Sequence, residues 1–299
     1  MAANITTEYK MNDKIMLIQI FVVLFLCINL LLITTFFTKE FFYTTMRYVL
    51  FAVTLMSDCL FLFMSDILLI LNSRYTIQMW LCLIIYLVTS LYFFVTPVTL
   101  TAMTLERYVA ICLPLRHGEL CSPRNALHGI LIIHSLSSLP CIVFLSIFFA
   151  SATYGSYTQG RICSVEIFIL HTWQGHLRSA ISQFYFLIMC ITIVFSYVKI
   201  MRAAKAASGE DKKSTWRGLR TVGLHAFQLL LCLIQLWCPF IEAALLQINL
   251  MLYINVRFFN YITFILAPRC LSPLIYGLRD EMFFHALKRF ALCGLRKKH

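Results

Sequence analysis

The side chains best suited to chemistry in this sequence sit where charge is costly. Asp58, Asp66, Glu242 and Arg269 each fall inside a long apolar run. An ionisable group at mid-bilayer costs about 2.5–3.5 kcal/mol on insertion scales, so each requires a partner or a purpose. Glu106 and Arg107 form a second kind of site. They stand side by side in TLERYVAICLPLRHG (104–118), after a stretch from Met79 to Leu105 with no charged side chain. A carboxylate beside a guanidinium at a helix end makes a charge-assisted pair that can be broken again, although basic residues gather at such ends for other reasons too. That is switch chemistry. No H-E-x-x-H or G-x-S-x-G segment occurs, so nothing points to a metalloprotease helix or a nucleophile elbow, and neither a catalytic residue nor a metal site is expected.

The elements that must position these groups follow from composition. Of the 299 residues 61% are hydrophobic and 13% charged, and even a large soluble core leaves about a quarter of the chain's surface in water. Apolar runs of about 20 residues cross a bilayer as helices. Seven runs are predicted, at 15–37, 48–71, 79–112, 126–149, 177–201, 219–246 and 256–278. Short polar connections join them, so residues 1–299 read as one all-α membrane domain, a seven-helix bundle. The first run carries Asn29 in its middle and has no small-residue cleavage site, which makes it a retained helix and not a signal peptide.

The net charge of +12 raises the question of nucleic acid, but its distribution excludes that partner. Seven spans place the termini on opposite sides. With the N-terminus outside, the cytoplasmic positions hold Lys39, Arg47, Arg107, Arg116, Arg124, Lys199, Arg202, Lys205, Lys212, Lys213, Arg217, Arg220, Arg279, Lys288, Arg289, Arg296, Lys297 and Lys298, which is 18 of the 25 basic residues. This is the positive-inside asymmetry, and it faces anionic lipid of the inner leaflet. Asn4, in Asn4-Ile5-Thr6, is then a glycosylation acceptor on the outer side. Of the twelve cysteines, Cys27, Cys59, Cys112, Cys141, Cys190, Cys232, Cys238 and Cys270 lie in apolar runs, where a thiol behaves as a small hydrophobe. Cys82 and Cys163 face the oxidising side, and a bond between them would tie the 150–176 loop to the third span.

Further motifs complete a constellation. The sixth run holds Leu236-Trp237-Cys238-Pro239, and the seventh ends Ser272-Pro273-Leu274-Ile275-Tyr276. Cys82 and Arg107 are 25 residues apart, and Asn29 and Asp58 sit centrally in the first two runs. Together these resemble a rhodopsin-like (class A) G-protein-coupled receptor. Within that family, MTLERYVAICLPLRH is similar to the odorant-receptor segment M-A-Y-D-R-Y-V-A-I-C-x-P-L, and SPLIYGLRDEMF to N-P-x-I-Y-x-L-R-N. Ser196-Tyr197 at the end of the fifth run fits the same group. The sixth run lacks the group's usual opening residues, the long outer loop has one cysteine, and the fourth run has no tryptophan. Those departures resemble a divergent, fish-type odorant receptor more than a mammalian one.

The resemblance implies roles. At rest Glu106 would hold Arg107, and on activation Arg107 would turn toward a heterotrimeric G protein, with Tyr108, Tyr197, Pro273 and Tyr276 in the same switch. Trp237 would floor the ligand pocket, and Pro239 would kink the sixth helix into a hinge, since proline removes a backbone donor. Thr96-Pro97 would distort the third span similarly. The family commonly binds sodium at the acid matched by Asp58. Here Arg269 and Ser272 stand where small polar residues and asparagine are usual, so Arg269 is expected to pair with Asp58 and replace the ion, the other reading being an arginine that faces water in the cavity.

A ligand pocket belongs in the outer half of the bundle. Helical spacing points Thr89, Ser90, Phe93 and Phe94 at it from the third run. Ser182 and Tyr185 face it from the fifth, Phe240, Ile241 and Ala244 from the sixth, and Tyr261 from the seventh. The set suits a small, mostly apolar molecule with one or two hydrogen-bonding groups. Amine receptors of the family carry an acid at the position of Thr89 and opsins a lysine in the seventh span; neither is present, although Glu242 is a candidate reader of a cation or donor. Arg178, at the outer start of the fifth run, reads as a solvated rim residue in preference to one that steers anionic ligands. Residues 201–220 read as a short basic loop and 280–293 as an amphipathic helix on the membrane, with Cys293 a candidate palmitoylation site. The partners implied are a small-molecule odorant, a stimulatory heterotrimeric G protein and the bilayer, with no cofactor. The alternatives are a non-olfactory receptor of the same class for a peptide or lipid and, more remotely, a transporter or channel, which inverted repeats would favour and no visible repeat supports.

Overall fold

The structure is a computed structural model that describes residues 2–38, 40–74, 76–152, 160–163, 168–206, 209–277, 284–285 and 287–288. In chain order the helices are α1 (Ala2–Phe36), α2 (Glu40–Thr44), α3 (Met46–Arg74), α4 (Met79–Cys112), α5 (Pro114–Leu120), α6 (Pro123–Ser151), α7 (Thr172–Ala206), α8 (Gly209–Ile248), α9 (Leu250–Asn260) and α10 (Ala267–Gly277). A π-helical segment, Tyr261–Leu266, joins α9 to α10 without a break, so the three form one rod. Among the described residues six helices are long and apolar enough to cross a membrane: Asn12–Phe36, Met46–Leu71, Met79–Cys112, Arg124–Ser151, Thr172–Ala203 and Leu250–Pro273. The seventh crossing is α8, of which Leu219–Cys232 is an apolar stretch among the described residues.

The outward faces confirm the lipid reading. Leu17, Ile20, Leu24, Leu31, Ile132, Leu187 and Ile191 are exposed along these helices, a surface that water would not tolerate at this density and lipid does. Inside, Leu32, Phe36, Phe42, Phe51, Leu55, Val95, Leu100 and Met103 form one core between α1, α2, α3 and α4. Phe186, Ile193, Ile200, Leu219, Val222 and Leu229 form another between α7 and α8. Gly129 lets α6 approach α3 closely, because a Cβ there would stand 3.0 Å from Met46 Cε.

Three boundaries differ from the sequence expectation. Residues 201–220 are not a loop: α7 runs on to Ala206 and α8 begins at Gly209, since Ala203, Ala204, Lys205, Ala206 and the Glu210–Lys213 stretch are mostly good helix formers. The seventh rod starts at Leu250, where Asn249 accepts bonds from the backbone N–H groups of Met251 (2.8 Å) and Leu252 (3.3 Å), a side-chain N-cap that hydropathy does not register. The segment after the third span is helical too, as α5. The expected juxtamembrane helix 280–293 lies almost wholly outside the described residues, as does Cys293; Phe284, His285, Leu287 and Lys288 are helical.

Candidate functional site

Two strands fix one end of the bundle. Thr76–Gln78 (β1) pairs antiparallel with Gly160–Ile162 (β2), and beside them Cys82 is disulfide-bonded to Cys163 across 81 residues of sequence, as expected. Beneath the bond, Tyr86 stacks on Phe168 (centroids 4.9 Å apart) and Phe148 packs edge-on against the same ring. This end holds the residues predicted for a pocket.

The structure gathers part of that set and scatters the rest. Phe94 is buried and meets Phe93 and Tyr185 edge-on at 5.2 and 5.8 Å. Ser90 Oγ accepts from Cys141 Sγ (3.4 Å), and Ser182 is buried nearby on α7. Thr89 donates to its own helix, at Ile85 O. Tyr185 OH donates to Leu136 O (3.2 Å) and also lines an apolar groove of about 340 Å³ between α6 and α7, with Leu139, Pro140, Val143, Ala180, Ile181 and Phe184. On the opposite flank Tyr261 OH meets Ser65 Oγ at 3.2 Å, and Glu242 accepts from Asn260 Nδ2 at 2.9 Å.

The α8 candidates stand elsewhere. Trp237 is 52% exposed, Ile241 50%, and Ala244 is exposed, so Trp237 does not floor a buried pocket. These three fall at spacings of four and three and share one face of a helix, so a single rotation of α8 sets them all. The side chains of Pro239 and Phe240 lie outside the described residues, although α8 continues through both without a break. Arg178 is not a solvated rim residue either. It is half-buried, its guanidinium 5.9 Å from the Tyr86 ring centre and 5.8 Å from that of Phe144. Sequence reasoning missed this because the aromatic partners come from α4 and α6.

At mid-bundle the polar groups converge. Asp58 and Arg269 are 0% and 2% exposed, with Arg269 Nε 3.8 Å from Asp58 Oδ1. Thr96 donates to the same oxygen (2.9 Å). Arg269 also donates to Ile265 O (2.9 Å), and its guanidinium lies 3.5 Å from the Phe61 ring centre. Gln228, which the sequence did not single out, donates from Nε2 to Ser272 Oγ (2.8 Å) and Pro268 O (2.6 Å), linking α8 to α10. Asn29 is buried at the same level, its side-chain N and O without hydrogen-bond partners among the described residues, as is Asp58 Oδ2. A buried polar atom left so is rare and marks a place for water or for rearrangement. The π-helical segment explains how Arg269 reaches inward. Pro268 has no N–H to give Phe264, and the wider turn absorbs that loss and shifts the residues after it around the axis. Asp66 keeps one buried oxygen, Oδ1, without a hydrogen bond among the described residues.

At the far end from the disulfide, Glu106 Oε2 is 3.3 Å from Arg107 Nε and its Oε1 is 3.4 Å from His117 Nε2 on α5. His117 is a partner the sequence gave no reason to choose. Burial, and then the charge of Glu106, push the nearby Cys121 thiol up. Tyr108 packs on Phe195 (5.8 Å) and, with Tyr197, on the α7–α8 core. Tyr276 lies in α10, its side chain outside the described residues, as is that of Asn4 in α1.

Residues 11–276 match the 7 transmembrane receptor (rhodopsin family) pattern. The chain belongs to that family. This rhodopsin-family chain is therefore a multi-pass membrane receptor and not an enzyme. It is 44% identical over 295 residues to Odorant receptor 131-2 of Danio rerio, covering 97% of this chain and 90% of the relative. It is 25% identical over 248 residues to Galanin receptor 2a of Danio rerio and 24% over 255 residues to Galanin receptor type 3 of Homo sapiens, each alignment covering 75% of the receptor and 63% of the relative.

Proposed function

We propose that the chain is an odorant receptor of the plasma membrane. Its N-terminus is extracellular, its C-terminus cytoplasmic, and it binds a small molecule at the disulfide end and activates a stimulatory heterotrimeric G protein. The observation that carries this is the 44% identity along 97% of the chain with a protein named as an odorant receptor. The excess of basic residues on the proposed cytoplasmic side supports the orientation, and the disulfide at the proposed outer end agrees with an oxidising compartment.

The mechanism is a bias between two bundle packings. A ligand that prefers one shifts the population by its differential affinity and no more. In the resting packing Glu106 holds Arg107. In the active one Arg107 and the ends of α7 and α8 face the G protein, with Tyr108, Tyr197 and Tyr276 refilling the space. Arg269 takes the place of a sodium ion beside Asp58. The galanin receptors favour a second reading, a non-olfactory ligand, but at 25% identity they carry less than the odorant receptor does.

Cyclic AMP in cells with verified surface expression, challenged with pooled odorants, tests the reading. A response in the wild type that Arg107→Ala removes at equal surface level is the expected result. Silence from well-expressed wild type, with a response through another G-protein class or to a non-odorant ligand, overturns it.

A further inference from the structure

Arg178 sits in the second turn of α7 with its guanidinium carbon 5.9 Å from the ring centre of Tyr86 on α4 and 5.8 Å from that of Phe144 on α6. A cation–ring attraction at that range is electrostatic and occupies none of the five N–H donors of the fork. Among the described residues no carboxylate comes within ion-pair distance of Arg178 and no acceptor takes those N–H groups. Arg178 is partly exposed near the disulfide end of α7, so its unengaged donors are placed to meet an anion arriving from that side. Ser182, one turn on from Arg178, is buried on the same face, and Ser90 lies one turn from Tyr86 on α4.

Beside this cation runs an apolar trough. Ile181, three residues on from Arg178, and Val143, next to Phe144, both line the 340 Å³ groove between α6 and α7. Its one phenol, Tyr185, already donates to Leu136 O, so the groove offers hydrocarbon contact alone. A charged head and an apolar wall at the same level define an amphiphile.

We propose that Arg178 anchors the carboxylate of a small amphiphilic ligand whose hydrocarbon chain lies along the α6–α7 groove. The carboxylate accepts two parallel N–H bonds from the edge of the fork, while Tyr86 and Phe144 hold its plane. This rests on the receptor reading above and names the ligand class for it.

The test uses full-length receptor purified into lipid nanodiscs, with binding of octanoate, octanol and octylamine followed by direct calorimetry and by thermal stabilisation. Octanoate is expected to bind the wild type in preference to the other two. Arg178→Gln should weaken octanoate by about 10- to 100-fold, the range of one charge-assisted hydrogen-bond set, and leave octanol unchanged. Arg178→Lys keeps the charge and loses the fork, so it should fall between the two. Failure of octanoate to bind wild type, equal binding by Arg178→Gln, or octylamine binding tightest would each overturn the proposal. If Arg178→Gln does not fold, the Arg178→Lys comparison decides in the same way. Glu166, an acid of the 150–176 loop outside the described residues, supplies a further arm: Glu166→Gln binding octanoate about 10-fold tighter would show the fork already taken by the chain itself, and would overturn it. Octanoate that binds through Arg178 without raising cyclic AMP leaves this inference standing and counts against the signalling reading instead.

Discussion

Glu106 divides its carboxylate between two elements: one oxygen faces Arg107 on its own helix at 3.3 Å, the other faces His117 on α5 at 3.4 Å. These contacts join α4 to the helix that follows it, and in the proposed switch their opening would release both.

Glu106→Gln removes the charge that Arg107 and His117 both face. Ligand-free cyclic AMP is expected to rise several-fold. His117→Ala, which leaves the Arg107 contact in place, should raise it less. Glu106 is buried and Arg107 largely so, so the loss of the carboxylate's charge is felt more than at an exposed pair, and because both contacts share that carboxylate the two effects should be non-additive. Unchanged basal signal in Glu106→Gln at equal surface level would sink the lock.

The Asp58–Arg269 pair is fully enclosed, and removing one partner of such a pair costs about 3–5 kcal/mol because the other charge is left buried alone. Asp58→Asn and Arg269→Met should each lower the thermal midpoint of purified receptor sharply. The double substitution should recover much of the loss. On the proposal that Arg269 fills the role of a cation, sodium titration should leave ligand affinity unaltered in the wild type; a sodium effect that Asp58→Asn abolishes would refute the substitution.

Cys82→Ser, Cys163→Ser and the double variant open a loop of 81 residues. The chain-entropy account of such a cross-link gives about 4 kcal/mol. The three variants should show one shared loss of thermal stability, read by midpoint in nanodiscs, with no further loss in the double. Additive losses would mean that each cysteine acts separately.

Phe94 and Trp237 should exchange the importance that their sequence contexts suggest. Phe94→Ala empties a buried position between Phe93 and Tyr185, which costs about 3–5 kcal/mol for a large aromatic in a packed interior. Trp237→Ala acts on a half-exposed ring and should cost clearly less. A larger loss of stability from Trp237→Ala would place the α8 face inward.

The number and order of the crossings, the disulfide partners and the Glu106–Arg107 pair were legible in the sequence, because each follows from local information: hydropathy over about 20 residues, the oxidising side, adjacency. The Asp58–Arg269 pairing was legible only through the family resemblance, which sets Arg269 where a small polar residue usually stands beside that acid; the charges alone left Asp66 and Glu242 as other partners. Other features depended on how helices rotate against one another. His117 reaches Glu106 only through the helical turn of α5, and Gln228 finds Ser272 only because α8 lies along α10. Trp237, Ile241 and Ala244 turn with α8 as a body, and Arg178 is covered by rings from α4 and α6. Periodicity gives the relative angles of side chains on one helix but not the angle of that helix within the bundle. In lipid, where hydrophobicity does not draw helices together, that angle is set by side-chain packing between neighbours, which only the tertiary structure contains.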